Sequence, residues 1–140
     1  IICQREDGSI DFDSVINYIS ILINCTELPL GYILIGNLLY SIMITEDEPS
    51  KEFCRIIESL ANDDVDQHLY LAISNRRGVT SRGCFDGGQQ ERNLADHYAK
   101  MAKKVFPYSF RLKKIFDKLE RSYLADAKRM DEEALHNKYR

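Results

Sequence analysis

An all-α fold is what this sequence predicts: a compact bundle or orthogonal array of about six helices, closed by a long C-terminal helix. Three observations carry that expectation. Apolar residues recur by threes and fours along most of the 140 positions. The breaks between such stretches are mostly short and rich in Pro, Gly, Asn or Asp. Only residues 74–88 lose the pattern for longer than a turn. A chain of this length, 44% hydrophobic and 29% charged, suits a single helical domain spanning 1–140. It begins at Ile1 rather than Met, so it reads as part of something longer. Seven Gly and three Pro exclude collagen-like or low-complexity architecture. No apolar run is expected to reach the roughly 18 residues that span a bilayer, and no membrane is implied.

The first helix is capped by Asp11 or Asp13, whose carboxylate accepts from free N–H groups of the first turn. Its stripe is Val15, Ile16, Ile19, Leu22 and Ile23, and Leu28-Pro29-Leu30-Gly31 ends it. Tyr32 to Ile44 is apolar on almost every side, as in a central core helix or an interface helix. Its Ile content leaves two strands, Tyr32–Ile35 and Leu38–Ile44, as the alternative. After the polar break at 45–49, Pro49 suits the first turn of a third helix, whose stripe is Phe53, Ile56, Ile57 and Leu60. Asn62-Asp63-Asp64 closes that helix and caps a fourth, with Val65, Leu69, Ala72 and Ile73 on one side.

A long Arg/Gly loop covers 74–88. A fifth helix then runs from about Gln89 to Val105, with Leu94, Tyr98, Met101, Ala102 and Val105 facing inward. Phe106-Pro107 breaks it. The last helix, 108–136, would be about 43 Å long at 1.5 Å per residue. Its stripe is Leu112, Ile115, Phe116, Leu119, Tyr123, Ala127, Met130 and Ala134. Core packing is expected to about Tyr123, and a solvated or docking end beyond it. Most of the eight Tyr and six Phe fit these stripes as core.

Charge is uneven. Residues 1–75 hold thirteen acids against three bases, net −10, and residues 76–140 hold nine against sixteen, net +7. Either the halves pack with complementary potentials, or the basic half meets an acidic or phosphate-bearing partner. A nucleic-acid reading would use Arg76, Arg77, Arg82, Lys103, Lys104, Lys113 and Lys114. The overall net of −3 argues against it, because affinity for nucleic acid grows with the phosphates neutralised. The four cysteines, Cys3, Cys25, Cys54 and Cys84, stand at no metal-ligand spacing. Two disulfides are possible on paper, but a domain this long does not need them, and a reduced cytoplasmic protein is the preferred reading. No cofactor or metal is implied.

The loop is the candidate site. Arg76, Arg77 and Arg82 supply forked donors, Thr80 lies between them, and glycines let backbone N–H groups approach the same anion. Gly87-Gly88 then feeds a helix N-terminus, whose free N–H groups also attract negative charge. Gln90 and Glu91 stand in its first turn, where Glu91 suits the dipole or pairs with Arg77 or Arg82. The competing reading is a surface loop whose arginines are neutralised by the acidic front half.

Arg92 and His97 form the spacing R-x4-H with Asn93 after the Arg. This resembles the signature of HEPN-type ribonucleases, which are all-helical. The resemblance implies metal-independent cleavage of RNA by a dimer, with His97 moving a proton and Arg92 stabilising phosphoryl charge. A broader stretch runs through Arg77-Gly78-Val79-Thr80-Ser81-Arg82, Gly87-Gly88-Gln89-Gln90-Glu91-Arg92-Asn93-Leu94-Ala95, Tyr98, Ser122-Tyr123 and Asp131-Glu132-Glu133-Ala134. It resembles a family of uncharacterised bacterial proteins over about the last 65 residues. That likeness implies no activity, and His97 is not part of its pattern. The expected function is a non-catalytic interaction module of a bacterial intracellular system. It would bind a protein partner or form a homodimer, with the Arg/Gly loop as partner or anion contact. The alternatives are the ribonuclease and a small nucleic-acid-binding regulator.

Overall fold

A computed structural model describes residues 3–25, 27–75 and 87–139. Among them are six α-helices and no strand, so the expected all-α architecture is what the chain adopts. They are α1 (Phe12–Cys25), α2 (Leu28–Thr45), α3 (Lys51–Leu60), α4 (Asp63–Asn75), α5 (Gln89–Val105) and α6 (Phe110–Lys138). The strand alternative for residues 32–44 gives way to one uninterrupted helix. The four isoleucines of α2 sit in a helix because its inner face, Ile35, Leu39 and Ile42, is buried against the rest of the core. Tertiary burial overrides β-propensity here.

Boundaries follow capping chemistry. Asp11, not Asp13, starts α1 and accepts from the Ser14 N–H at 3.3 Å and its hydroxyl at 2.9 Å. Leu28-Pro29-Leu30-Gly31 does not end a helix; it begins α2, with Pro29 in the first turn where a missing N–H costs nothing. Pro49 stays outside α3, whose cap is Ser50, accepting from the Phe53 N–H at 3.2 Å. Ala61 closes α3 in the left-handed region at φ 44°, and Asn62 caps α4 through the Val65 N–H at 3.0 Å. Ser109 caps α6, accepting from Leu112 at 3.0 Å, so that helix starts two residues later than expected.

α5 and α6 form the principal helix pair, α2 packs on α4, and α1 lies on α2. The core between them is built on Phe53, Phe116, Leu39, Ile57, Leu69, Leu112 and Leu119, all essentially without exposure. Every stripe residue expected for α4 is buried. So are those of α6 through Ala127, one turn further than Tyr123. Tyr98 of α5 stacks between Phe116 and Tyr123 with both centroid distances at 5.8 Å. Burial, helped by Tyr123 and Tyr40, pushes its phenol up to about 12. Most described aromatics lie in or against the core, but Phe106, Tyr108 and Phe110 at the α5–α6 corner are exposed.

One expectation about α2 is overturned. Its 18 residues carry no charged side chain and have a mean hydropathy of 1.6, enough by length and composition alone to cross a membrane. It was not legible as one apolar run because Pro29, Gly31, Gly36, Asn37 and Ser41 interrupt the apolar letters without adding charge. In this fold one side of it is core.

The charge asymmetry is partly resolved by packing of front half on back half. Arg111 bridges Asp63 at 3.0 Å and Asp66 at 2.8 Å, Lys104 pairs with Glu48, and Lys118 donates to Gln67 at 3.2 Å. Glu58 accepts from the Ser109 hydroxyl at 2.7 Å and the Arg111 N–H at 2.8 Å, so an α3 carboxylate helps cap α6.

Gly88 sets how closely α5 approaches α6. Its φ is −86°, so conformation alone does not demand glycine. A Cβ there would lie 2.3 Å from the Ala127 carbonyl oxygen and 2.4 Å from its Cα. Neither atom can move without displacing the α6 backbone. Gly88→Ala is expected to destabilise the protein by about 3 kcal/mol, the upper part of the overpacking range, read as a lower urea midpoint at unchanged slope.

Candidate functional site

The start of α5 is where the expected anion site and the structure meet. Gly88 presents its backbone N–H toward α6, and the Asp131 carboxylate takes it at 2.7 Å. The other oxygen of Asp131 takes the Arg92 guanidinium at 2.6 Å. Arg92 also donates to Gln89 at 3.3 Å, and Gln89 to Asn93 at 2.8 Å. The chain's own carboxylate therefore stands where a bound anion would sit at a helix N-terminus. The Gly88 N–H bond first, then Arg92, holds the Asp131 carboxyl below the usual carboxylate range.

Gly87 is half-buried beside Asp131; a Cβ on it would lie 2.4 Å from the carboxylate. Gln90 is half-buried, and Glu91 is buried at 2% exposure one helical step from Gln90. Gly87, Gly88, Gln90, Glu91 and Arg92 are thus gathered at one end of α5, as the sequence placed them. Arg76, Arg77, Thr80 and Arg82 lie outside the described residues. Asp131, on the α6 end expected to be solvated, completes the cluster. Its signal was present: it follows Ala127 by four, one turn along the same α6 face.

Arg92 and His97 diverge, as five residues on a helix must, by about 140°. Arg92 is held at Asp131. His97 lines a separate hollow of about 400 Å³ with Tyr40, Glu46, Asp47, Leu94 and Tyr98, its ring edge-on to Tyr98 at 5.0 Å. No described side chain links the two.

A groove of about 530 Å³ lies along the first half of α6, between Arg111, Lys114, Lys118 and Arg121 on that helix and Glu58, Asp66 and Tyr70 opposite. Its charges are matched only in part. Arg111 is held by two aspartates, and the Lys118 ammonium sits 4.1 Å from the Tyr70 ring centre. Burial raises the Asp66 carboxyl despite Arg111, whereas the Arg111 N–H and Ser109 hydroxyl lower that of Glu58. Of the other basic residues considered, Lys104 is paired with Glu48, Lys113 with Asp117 at 2.6 Å, and Lys103 is exposed. Lys113 and Lys114 each lie 5.7 Å from an exposed ring, of Phe106 and Phe110. No cluster of three or more metal-ligating side chains occurs among the described residues.

The remaining surface feature is the outer side of α2. Leu30, Ile33, Leu34 and Ile44 are exposed by 51%, 39%, 38% and 62%. Asn37 and Ser41 lie between them, and no charge interrupts the face. Searches against family models, curated proteins and solved structures find nothing that matches the chain.

The Asp131 clamp gives a pH signature with a fixed sign. A carboxyl whose folded pKa is depressed adds stability that is complete above its unfolded value of about 3.9 and is lost as pH falls through the folded value. The destabilisation caused by Asp131→Ala is therefore expected to be constant from neutral pH to about pH 5 and to shrink below about pH 4. Urea denaturation of both proteins across that range measures it.

Proposed function

We propose that the chain is a non-catalytic helical interaction module of the cytoplasm, binding a protein partner through the outer face of α2. One observation carries the reading: an 18-residue helix free of charge, with only one side covered, leaves five large aliphatic side chains in solvent, four of them (Leu30, Ile33, Leu34 and Ile44) on its outer face. A helix that serves only the fold normally places charged or polar residues on its outer side. Contiguous exposed apolar patches mark interaction sites more often than chance. Cys3 and Cys54 are free thiols buried in the core, in keeping with a reducing compartment. Burial pushes the Cys54 thiol up to about 11, so it acts as a small hydrophobe rather than a nucleophile.

A photo-crosslinking amino acid at Ile33 tests this in living cells. Position 33 is expected to give a discrete protein adduct, and the same probe at Lys118, in the polar groove along α6 and away from the α2 face, is expected to give none. Absence of any adduct at 33, or equal labelling at both positions, overturns the reading.

A further inference from the structure

We infer that the occupant of the α2 face is a second copy of this chain, lying antiparallel across a two-fold axis at Asn37. This rests on the interaction-module reading above and adds the identity and register of the partner. At 100° per residue, Leu30, Ile33, Leu34, Asn37, Ser41 and Ile44 all point away from the buried Ile35, Leu39 and Ile42. Within that face, Leu30, Ile33, Asn37, Ser41 and Ile44 are spaced three, four, four, three, and Leu30, Asn37 and Ile44 stand seven apart, as positions along a helix–helix seam do.

The seam is symmetric about residue 37, with Leu30 seven positions before it and Ile44 seven after. Turning a second α2 end for end over this face therefore sets Leu30 of each copy against Ile44 of the other. These are the two most exposed side chains of the face. It also sets Asn37 on Asn37. A carboxamide carries both donor and acceptor, so two related by a two-fold axis can exchange a pair of hydrogen bonds. Asn37 is half-buried, and its side-chain amide bonds to no other described residue.

Charge selects the antiparallel arrangement. Glu46, Asp47 and Glu48 follow the C-terminal end of α2. A parallel pair would place the two acidic runs side by side; the antiparallel pair separates them by about 27 Å, the length of the helix, and sets against each run only the single Glu27 of the other copy. Charge also disfavours an anionic lipid surface, since residues 1–75 carry a net −10. A single helix seam lies at the small end of stable interfaces, so the dimer is expected to dissociate on the order of micromolar.

Analytical ultracentrifugation across a concentration series spanning that range, with Ile33→Glu beside the wild type, is the first measurement. Concentration-dependent dimer in the wild type and monomer throughout in Ile33→Glu, with equal helicity by circular dichroism, is the expected result. The second is oxidation of Asn37→Cys with the wild type treated in parallel. A covalent dimer specific to Asn37→Cys supports the two-fold register, as does linkage of Leu30→Cys to Ile44→Cys when the two proteins are mixed. Monomer at every concentration, or Leu30→Cys linking to itself as readily as Asn37→Cys, overturns the inference. So does binding to phospholipid vesicles that Ile33→Glu abolishes. If the photo-adduct at Ile33 contains a different protein while the purified chain stays monomeric, this inference fails and the interaction-module reading stands. If position 33 yields no adduct, that reading fails.

Discussion

The contact of Gly88 with the Ala127 backbone is the constraint on which the rest of the basic half depends. Helices approach this closely only where a side chain is missing, and here the absent Cβ lets the start of α5 rest directly on α6. The same approach brings the Gly88 N–H within reach of Asp131, which then also holds Arg92. Sterics and electrostatics thus fix the same point. From there α5 runs along α6, carrying Tyr98 between Phe116 and Tyr123. The other end of α6 is fixed by a different device, in which Ser109 and the α3 carboxylate Glu58 share the free N–H groups of its first turn.

The opposite charges of the two halves serve this arrangement. Arg111 reaches from α6 to Asp63 and Asp66 at the start of α4, where acidic side chains also suit the helix dipole. Asp66 is buried enough that desolvation wins over its cation and raises the carboxyl. Glu58, bonded to a backbone N–H and a hydroxyl, moves the other way. A surface that reads as basic in the sequence is therefore partly consumed within the fold. The start of α5 is consumed likewise by Asp131. α2 differs, because Leu30, Ile33, Leu34 and Ile44 on its outer face stay exposed to solvent.

Much of the candidate site was legible residue by residue, and its meaning was not. Gly87, Gly88, Gln90 and Glu91 were expected together at a helix start and are found there, but the partner that defines the geometry lies some forty residues away. Arg92 and His97 matched a short pattern, yet the helical period sends them to different surroundings. Most aromatics were expected as core, and Phe106, Tyr108 and Phe110 at the α5–α6 corner are exposed instead, outside every stripe. Pro29 reads as a terminator because proline ends helices from within, whereas in the first turn of α2 it starts one.

The sequence by itself determined the helices and the buried stripes of α4 and α6, because periodicity acts within a few residues of the chain. Of the caps it offered Asp11 and Asn62, while Ser50 and Ser109 came from the structure, and Ile16 and Ile23 of the α1 stripe are exposed. It also determined that charge divides by halves. Only the tertiary structure decided which apolar residues of α2 are core and which face outward, since a helix apolar all round carries no amphipathic signal to orient it. It alone decided that Gly88 is demanded by a neighbour's backbone rather than by its own φ. Close approach and cross-helix pairing join residues far apart in sequence, and no local pattern records the distance between them.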